Sequence, residues 1–114
     1  MRLSRNKMIS LIGLAMKAGK IVSGEFMTEK SVKTGKAELV LVAADASDNT
    51  RKKFQNMCAF YEVPVFFAES KDALGRAIGK EYRASMAVQD ANFASAIRKE
   101  LERQKTDQDS RGME

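Results

Sequence analysis

The residues best suited to chemistry in this chain are lysines, and they cluster around one glycine. Lys20, Lys30, Lys33 and Lys36 surround the segment Gly24-Glu25-Phe26-Met27. Phe26, Lys30 and Lys33 recur at helical spacing, so a helix over this stretch presents them on one face. A cationic face of this kind suits phosphate contacts and base edges, and an exposed phenylalanine suits stacking on an unpaired base. The ordinary reading is that Phe26 folds over a core and the lysines solvate a helix. A second segment, Gly79-Lys80-Glu81-Tyr82-Arg83-Ala84, joins a glycine, two bases and an aromatic in what reads as a loop.

Other chemistries are excluded by residue type. The 114 residues contain no histidine, one cysteine and no tryptophan. Without histidine there is no imidazole base, no Ser-His-Asp or Cys-His nucleophile and no His-ligated metal. One cysteine permits neither an internal disulfide nor a Cys-based zinc site. Gly13-Leu-Ala-Met-Lys-Ala-Gly19 lacks the spacing and the preceding strand of a phosphate-binding loop; Gly13 reads as a close-packing position in a helix. Asp45 follows an apolar strand, the place of a phospho-acceptor, but no acidic pair follows the first strand to hold a metal. Asp45 and Asp48 therefore read as turn and capping residues. Cys58 lies on an apolar helical stripe and reads as a buried structural thiol. These exclusions argue against an enzyme, and no cofactor or metal is implied.

Charge supports a polyanionic partner. The net charge is +5, and it is not spread evenly. Residues 1–36 hold eight bases, Arg2 and Arg5 among them, against two acids, a net of +6; the rest of the chain holds twelve bases and thirteen acids, a net of −1. A localised basic excess is the footprint of nucleic acid or an anionic surface. No apolar run approaches the length of a membrane span, and no apolar segment ending in a small-residue cleavage site opens the chain. A cytoplasmic protein without membrane contact is expected.

The elements that position these residues follow from periodicity. Met8, Leu11, Ile12 and Ala15 mark a helix over Arg5–Lys17, with Ser4 as a possible cap and Gly19 as its stop. Lys20–Ser23 reads as a short strand and Glu25–Thr34 as a helix with Thr28, Ser31, Val32 and Gly35 inward. Leu39–Ala43 is continuously apolar, as a strand covered on both faces must be. Ser47 or Asn49 opens a helix over Thr50–Tyr61, whose inner stripe is Phe54, Met57, Cys58 and Tyr61. Val63–Phe67 is a strand with Pro64 near its start. Ser70 caps a short helix through Ile78, Ser85–Val88 is a strand, and Asp90 caps a last helix carrying Phe93, Ile97 and Leu101. The alternation predicts one domain over residues 1–103, an α/β fold built as a three-layer α/β/α sandwich. Residues 104–114 read as a polar, frayed or disordered tail.

Taken together, Lys17-Ala-Gly-Lys-Ile-Val-Ser-Gly-Glu25, Lys30, Gly35-Lys-Ala-Glu-Leu-Val-Leu-Val-Ala-Ala-Asp45, Val63-Pro-Val65 and Leu74-Gly-Arg-Ala-Ile-Gly79 resemble the ribosomal L-seven-Ae family, closest to its short bacterial branch. The resemblance runs over about residues 4–97. It implies a mixed four-stranded sheet and a non-enzymatic, ribosome-associated protein that binds kink-turn RNA, a bent duplex with tandem sheared G·A pairs beside a bulge. In that family the helix start after the first strand enters the RNA groove with a motif close to Gly-x-Asn-Glu-x-x-Lys. Gly24 and Lys30 match it here, while Phe26 and Met27 stand where the Asn and Glu would be. The family's second contact, a loop before the last strand, falls on Gly79–Ser85.

The resemblance thus implies an RNA site of Gly24, Glu25, Phe26, Met27 and Lys30, with Lys20, Lys33, Lys36, Lys80 and Arg83 on phosphates and Gly79, Tyr82 and Ala84 completing the loop. A monomer is expected on structured RNA. The alternative is a protein-interaction module on the same fold, anchored by Phe26 and Met27.

Overall fold

The computed structural model describes the backbone of residues 3–112 and the side chains of residues 7–105. Nine elements alternate along it: α1 (Leu3–Lys17), β1 (Ile21–Ser23), α2 (Glu25–Lys33), β2 (Leu39–Val42), α3 (Asp48–Tyr61), β3 (Val65–Phe67), α4 (Lys71–Ala77), β4 (Ser85–Val88) and α5 (Ala91–Gly112). This is the order expected from the periodicity.

The four strands form one mixed sheet in the order β1-β4-β2-β3. β4 lies antiparallel to both β1 and β2, and β2 is parallel to β3. Val88 stands beside Ile21 on one side and Leu39 on the other, which fixes the central register. Helices α2 and α3 pack together on one face of the sheet, and α1 and α5 pack together on the other with α4 beside α1. The result is the three-layer sandwich. Every residue of β2 and β4 is buried, which is why Leu39–Val42 carries no polar alternation. Phe54, Met8, Ile12, Leu41, Leu74, Met86 and Ile97 fill the two interlayer spaces. A Cβ on Gly13 would stand 3.3 Å from the Ala77 carbonyl oxygen, so this glycine allows α1 to approach α4.

Three helices end in the same reversal. The N–H of Lys20 reaches back to the Ala15 carbonyl (2.9 Å), that of Lys36 to Ser31 (3.0 Å) and that of Lys80 to Gly75 (2.8 Å). Each is the six-to-one bond of a helix closed by a left-handed residue. α3 closes likewise on Glu62, at φ 58°, with Val63 N–H on the Cys58 carbonyl at 2.9 Å.

The differences from expectation lie at element ends. α3 begins at Asp48, two residues before Thr50, because Ser47 is its cap: the hydroxyl accepts from Thr50 N–H at 3.2 Å. β3 is confined to Val65–Phe67, with the Pro64 carbonyl accepting from Val40 N–H just outside it. The backbone of α5 runs on as helix to Gly112. Where it passes residue 100, buried Glu100 accepts from Arg103 at 2.6 Å and Gln104 at 3.3 Å. The Ser4 cap and the charges of Arg2 and Arg5 lie outside the described side chains.

Cys58 is buried on the inner face of α3, and burial pushes its thiol up to about 11. Thiolate is the reactive form. Ellman's reagent at about pH 8 is therefore expected to leave the native protein unmodified and to titrate one thiol in denaturant. Rapid modification of the native protein would show that this face of α3 is open.

Candidate functional site

The antiparallel pairing of β1 with β4 sets Ser23 beside Met86, so the end of one strand meets the start of the other. One residue on, Gly24 N–H donates to the Ser85 carbonyl at 3.0 Å. Two segments far apart in the sequence, Gly24 with the first turn of α2 and Gly79–Ser85, thereby share one end of the sheet. Gly24 has φ 91°, a conformation a side chain resists. It turns the chain out of β1 and into α2, whose first turn has no side-chain cap. The opening N–H groups of such a helix are donors left for a ligand or water.

The loop is held from two directions. Arg83 donates from Nε to the Ser23 hydroxyl at 3.1 Å and from Nη1 to the Tyr82 carbonyl at 2.8 Å. Its own N–H donates to the Lys71 carbonyl at 3.1 Å. Below, the loop lies directly on Gly75 of α4, where a Cβ would stand 2.5 Å from both the Glu81 carbonyl oxygen and the Tyr82 Cα. Lys71 Nζ sits 5.7 Å from the centre of the exposed Tyr82 ring. α4 is itself capped by the Asp45 carboxylate, which accepts from Lys71 N–H at 2.9 Å, and by the Ser70 hydroxyl. Asp45 is thus a helix-capping residue, as its turn position suggests.

Charge on α2 divides by face. Lys53 of α3 bridges Glu25 at 2.7 Å and Glu29 at 2.8 Å, and Lys33 meets Glu29 at 2.7 Å. The two ammonium groups hold the Glu29 carboxyl down at about 2. Glu25, Glu29 and Lys33 therefore face α3 and neutralise one another with Lys53. On the inner face, Thr28 and Ser85 are fully buried, and the Ser85 hydroxyl donates to Thr28 Oγ1 at 3.4 Å. On the outer face Phe26 is 75% exposed and Met27 41% exposed. Exposed Lys30 follows one turn after Phe26 and makes no ion pair among the described residues.

Not every expected residue joins this end. Gly24, Glu25, Phe26 and Met27 are on the α2 start, Lys30 is in the last turn of α2 on the outer side one turn after Phe26, and Lys80, Tyr82, Arg83 and Ala84 are on the loop that begins at Gly79. Lys20 and Lys36 lie at the other end of the sheet, where Gln89 N–H donates to the Lys20 carbonyl at 2.8 Å and Glu38 N–H to Val88 at 2.8 Å. Lys20, Lys36 and Lys80 share a structural reason of their own: each directly follows a helix C-terminus, where a cation complements the dipole. Two positioning residues lie outside the sequence-derived set. Lys53 sits in the visible basic run Arg51-Lys52-Lys53, but its reach to α2 depends on helix packing. Gly75 is a glycine inside a helix, which signals a close approach without naming the partner.

Among the described residues no group of three His, Cys, Asp or Glu side chains could hold a metal ion, and no helix is long and apolar enough to cross a membrane. The family model of the ribosomal protein L7Ae/L30e/S12e/Gadd45 family matches residues 6–98. The RNA-binding protein YlxQ of Bacillus subtilis is 47% identical over 87 residues, 76% of this chain and 87% of that protein. A Bacillus halodurans protein of unknown function superposes with a TM-score of 0.82 at 36% identity, covering 84% of this chain and 97% of its own. The 15.5kD RNA binding protein of Giardia lamblia superposes with a TM-score of 0.72 at 28% identity, covering 85% and 86%.

Two outcomes follow from this geometry. Gly75→Ala gains about 1 kcal/mol of helix propensity but drives a methyl into the loop backbone. Urea unfolding is expected to show a net loss of about 1–3 kcal/mol; a stabilised variant would mean that the loop does not rest on α4. The second concerns pH. Glu29 falls from an ordinary 4.5 to about 2 on folding, so the stability it contributes is present above 4.5 and lost as pH falls toward 2. Glu29→Gln has no such charge to lose. Its melting temperature should fall less steeply than that of the wild type across that window, and parallel curves would refute the network.

Proposed function

Since the chain belongs to the ribosomal protein L7Ae/L30e/S12e/Gadd45 family, we propose that it is a non-enzymatic, cytoplasmic RNA-binding protein, monomeric and ribosome-associated, that takes a kink-turn-like structured RNA at the end of its sheet. The observation that carries this reading is the junction of Gly24 with Ser85, which sets an uncapped helix start beside a basic loop. That YlxQ and the Giardia protein are named for RNA binding supports it.

Each residue has a role that its surroundings permit. The opening N–H groups of α2 and the unpaired Lys30 ammonium enter the groove, where a cation can donate to base edges. Phe26 stacks on an unpaired base. Lys80 contacts phosphate, and Arg83 holds the loop against β1 while its guanidinium borders the RNA backbone. Gly24 lets the RNA approach the main chain. Tyr82 and Ala84 form the apolar side of the loop. Glu25 and Lys33 are committed to α3, so they shape the helix start more than they touch RNA. Lys20 and Lys36 add long-range attraction from the far end.

A second reading stands on the exposure of Phe26 and Met27, which suits a protein anchor. One titration separates the two, using a kink-turn stem and a control stem with its G·A pairs replaced by Watson–Crick pairs, each across a range of salt. The RNA reading expects preferential binding to the first stem. Lys30→Ala should erase about 1–3 kcal/mol of that preference, whereas Lys80→Ala should weaken both stems alike and lower the salt slope by about one. Weak, equal and steeply salt-dependent binding to both stems would overturn kink-turn recognition. If Phe26→Ser then changed the sedimentation behaviour of the protein, the anchor reading would take its place.

A further inference from the structure

Strand β3 is the sheet edge farthest from β1. In a parallel pair, a residue that bonds its neighbour through both backbone groups alternates with residues whose groups point away. Val40 N–H donates to the Pro64 carbonyl at 2.9 Å and Ala68 N–H to the Val42 carbonyl at 3.0 Å. With Val40 beside Val65 and Val42 beside Phe67, this alternation turns Phe66 toward β2 and aims the N–H and C=O of Val65 and Phe67 outward. Among the described residues no loop or side-chain hydrogen bond covers those four groups.

The strand runs between two open grooves, one on each face. Toward α3 a cavity of about 420 Å³ is lined by Asp48, Arg51, Lys52, Gln55 and Phe67. Toward α5 a cavity of about 490 Å³ reaches from Phe66 and Phe67 to Leu101 and Lys105. Strand side chains alternate between faces, so an added strand would send its side chains alternately into these grooves. The α3-side groove is basic, Arg51 and Lys52 against Asp48, whereas the α5-side groove is more apolar and carries Glu69 and Glu102 against Lys105. Arg98 lies 6.0 Å from the Phe66 ring centre. Asp48 holds one end of the Arg51 guanidinium at 2.6 Å, yet its Nε is buried without a partner.

We propose that the β3 edge binds an extended acidic peptide as a fifth strand, with carboxylates in the groove at Arg51 and Lys52 and apolar side chains against Phe66 and Leu101. Main-chain bonds to Val65 and Phe67 supply attachment, and the two grooves supply selectivity. A second copy of the chain fits less well, because pairing β3 with β3 would bring like-charged Arg51 and Lys52 toward their counterparts. Three strand spacings, about 14 Å, separate this edge from β1. The main-chain groups of this edge are thus distinct from the Gly24 junction, and this proposal does not rest on the RNA reading.

The probe is a fluorescein-labelled, N-acetylated hexapeptide of alternating Glu and Val, followed by anisotropy and by amide chemical shifts of the full-length protein. Saturable binding with shifts centred on Val65 and Phe67 is expected. N-methylation of the peptide on its bonding register should weaken binding roughly tenfold, as loss of one or two net hydrogen bonds does, while methylation on the other register should not. Lys52→Glu, an exposed change that leaves the fold intact by circular dichroism, should weaken it comparably. Equal binding by both methylated peptides would reduce the contact to charge alone and overturn strand addition. So would shifts at α2 instead of β3, or a uridine oligonucleotide moving Val65 and Phe67 where the peptide does not.

Discussion

Strands β2 and β4 have no polar face. Helices cover them on both sides, so their side chains must be apolar or internally satisfied, and the one hydroxyl among them, Ser85, is answered by Thr28 of α2. An unsatisfied hydroxyl there would cost about 1–3 kcal/mol. This constraint pushes all other chemistry to the ends of the strands and to the sheet's edges. It also decides which end can act. At one end β4 begins from a loop and β1 gives way to α2 at a glycine; at the other, strands continue into helix reversals that consume their own backbone donors.

The α2 start is a rigid donor array because three unrelated contacts converge on it. The Gly24–Ser85 bond sets its origin, the Thr28–Ser85 pair sets its depth, and Lys53 ties Glu25 and Glu29 to α3. Ion pairs at an exposed surface add little stability singly. Here one ammonium shared by two carboxylates a turn apart fixes the rotation of α2 about its axis, which leaves Phe26 and Lys30 facing outward. The same packing removes Lys33 from that outward set. A stripe that looks continuous on a helical wheel, Phe26 to Lys30 to Lys33, is thus split by the neighbouring helix.

The fold was legible because its signals are local. Leu39–Val42 announces a doubly covered strand by composition, and Ser47, Ser70 and Asp90 announce helix starts by their capping oxygens. The position of the candidate site was legible through Gly24 and through the order of motifs shared with a known family. Its supports were not. Lys53, Gly75 and the Arg83–Ser23 bond act between elements, and nothing in the spacing of one segment specifies which side chain of another will meet it. Strand ends were drawn too wide for a related reason. Pro64, whose carbonyl is bonded just outside β3, acts through a neighbour that periodicity does not weigh.

The basic excess of residues 1–36 also changes meaning once it is placed in space. As a sum it looks like a single anion-binding patch. In the structure Lys33 is neutralised, while Lys20 and Lys36 sit beyond the far end of β4, whose four residues span about 13 Å. That distance exceeds the Debye length of about 8 Å at physiological salt. Charges so placed cannot discriminate among features of an RNA held at Gly24. They can still raise the potential of that side of the molecule and hasten encounter at low salt. Selectivity in the proposed complex is left to few groups: the α2 donors, Lys30 and Phe26. Because Phe26 contributes area and stacking without hydrogen-bond readout, shape and an accessible unpaired base would govern RNA choice more than base identity.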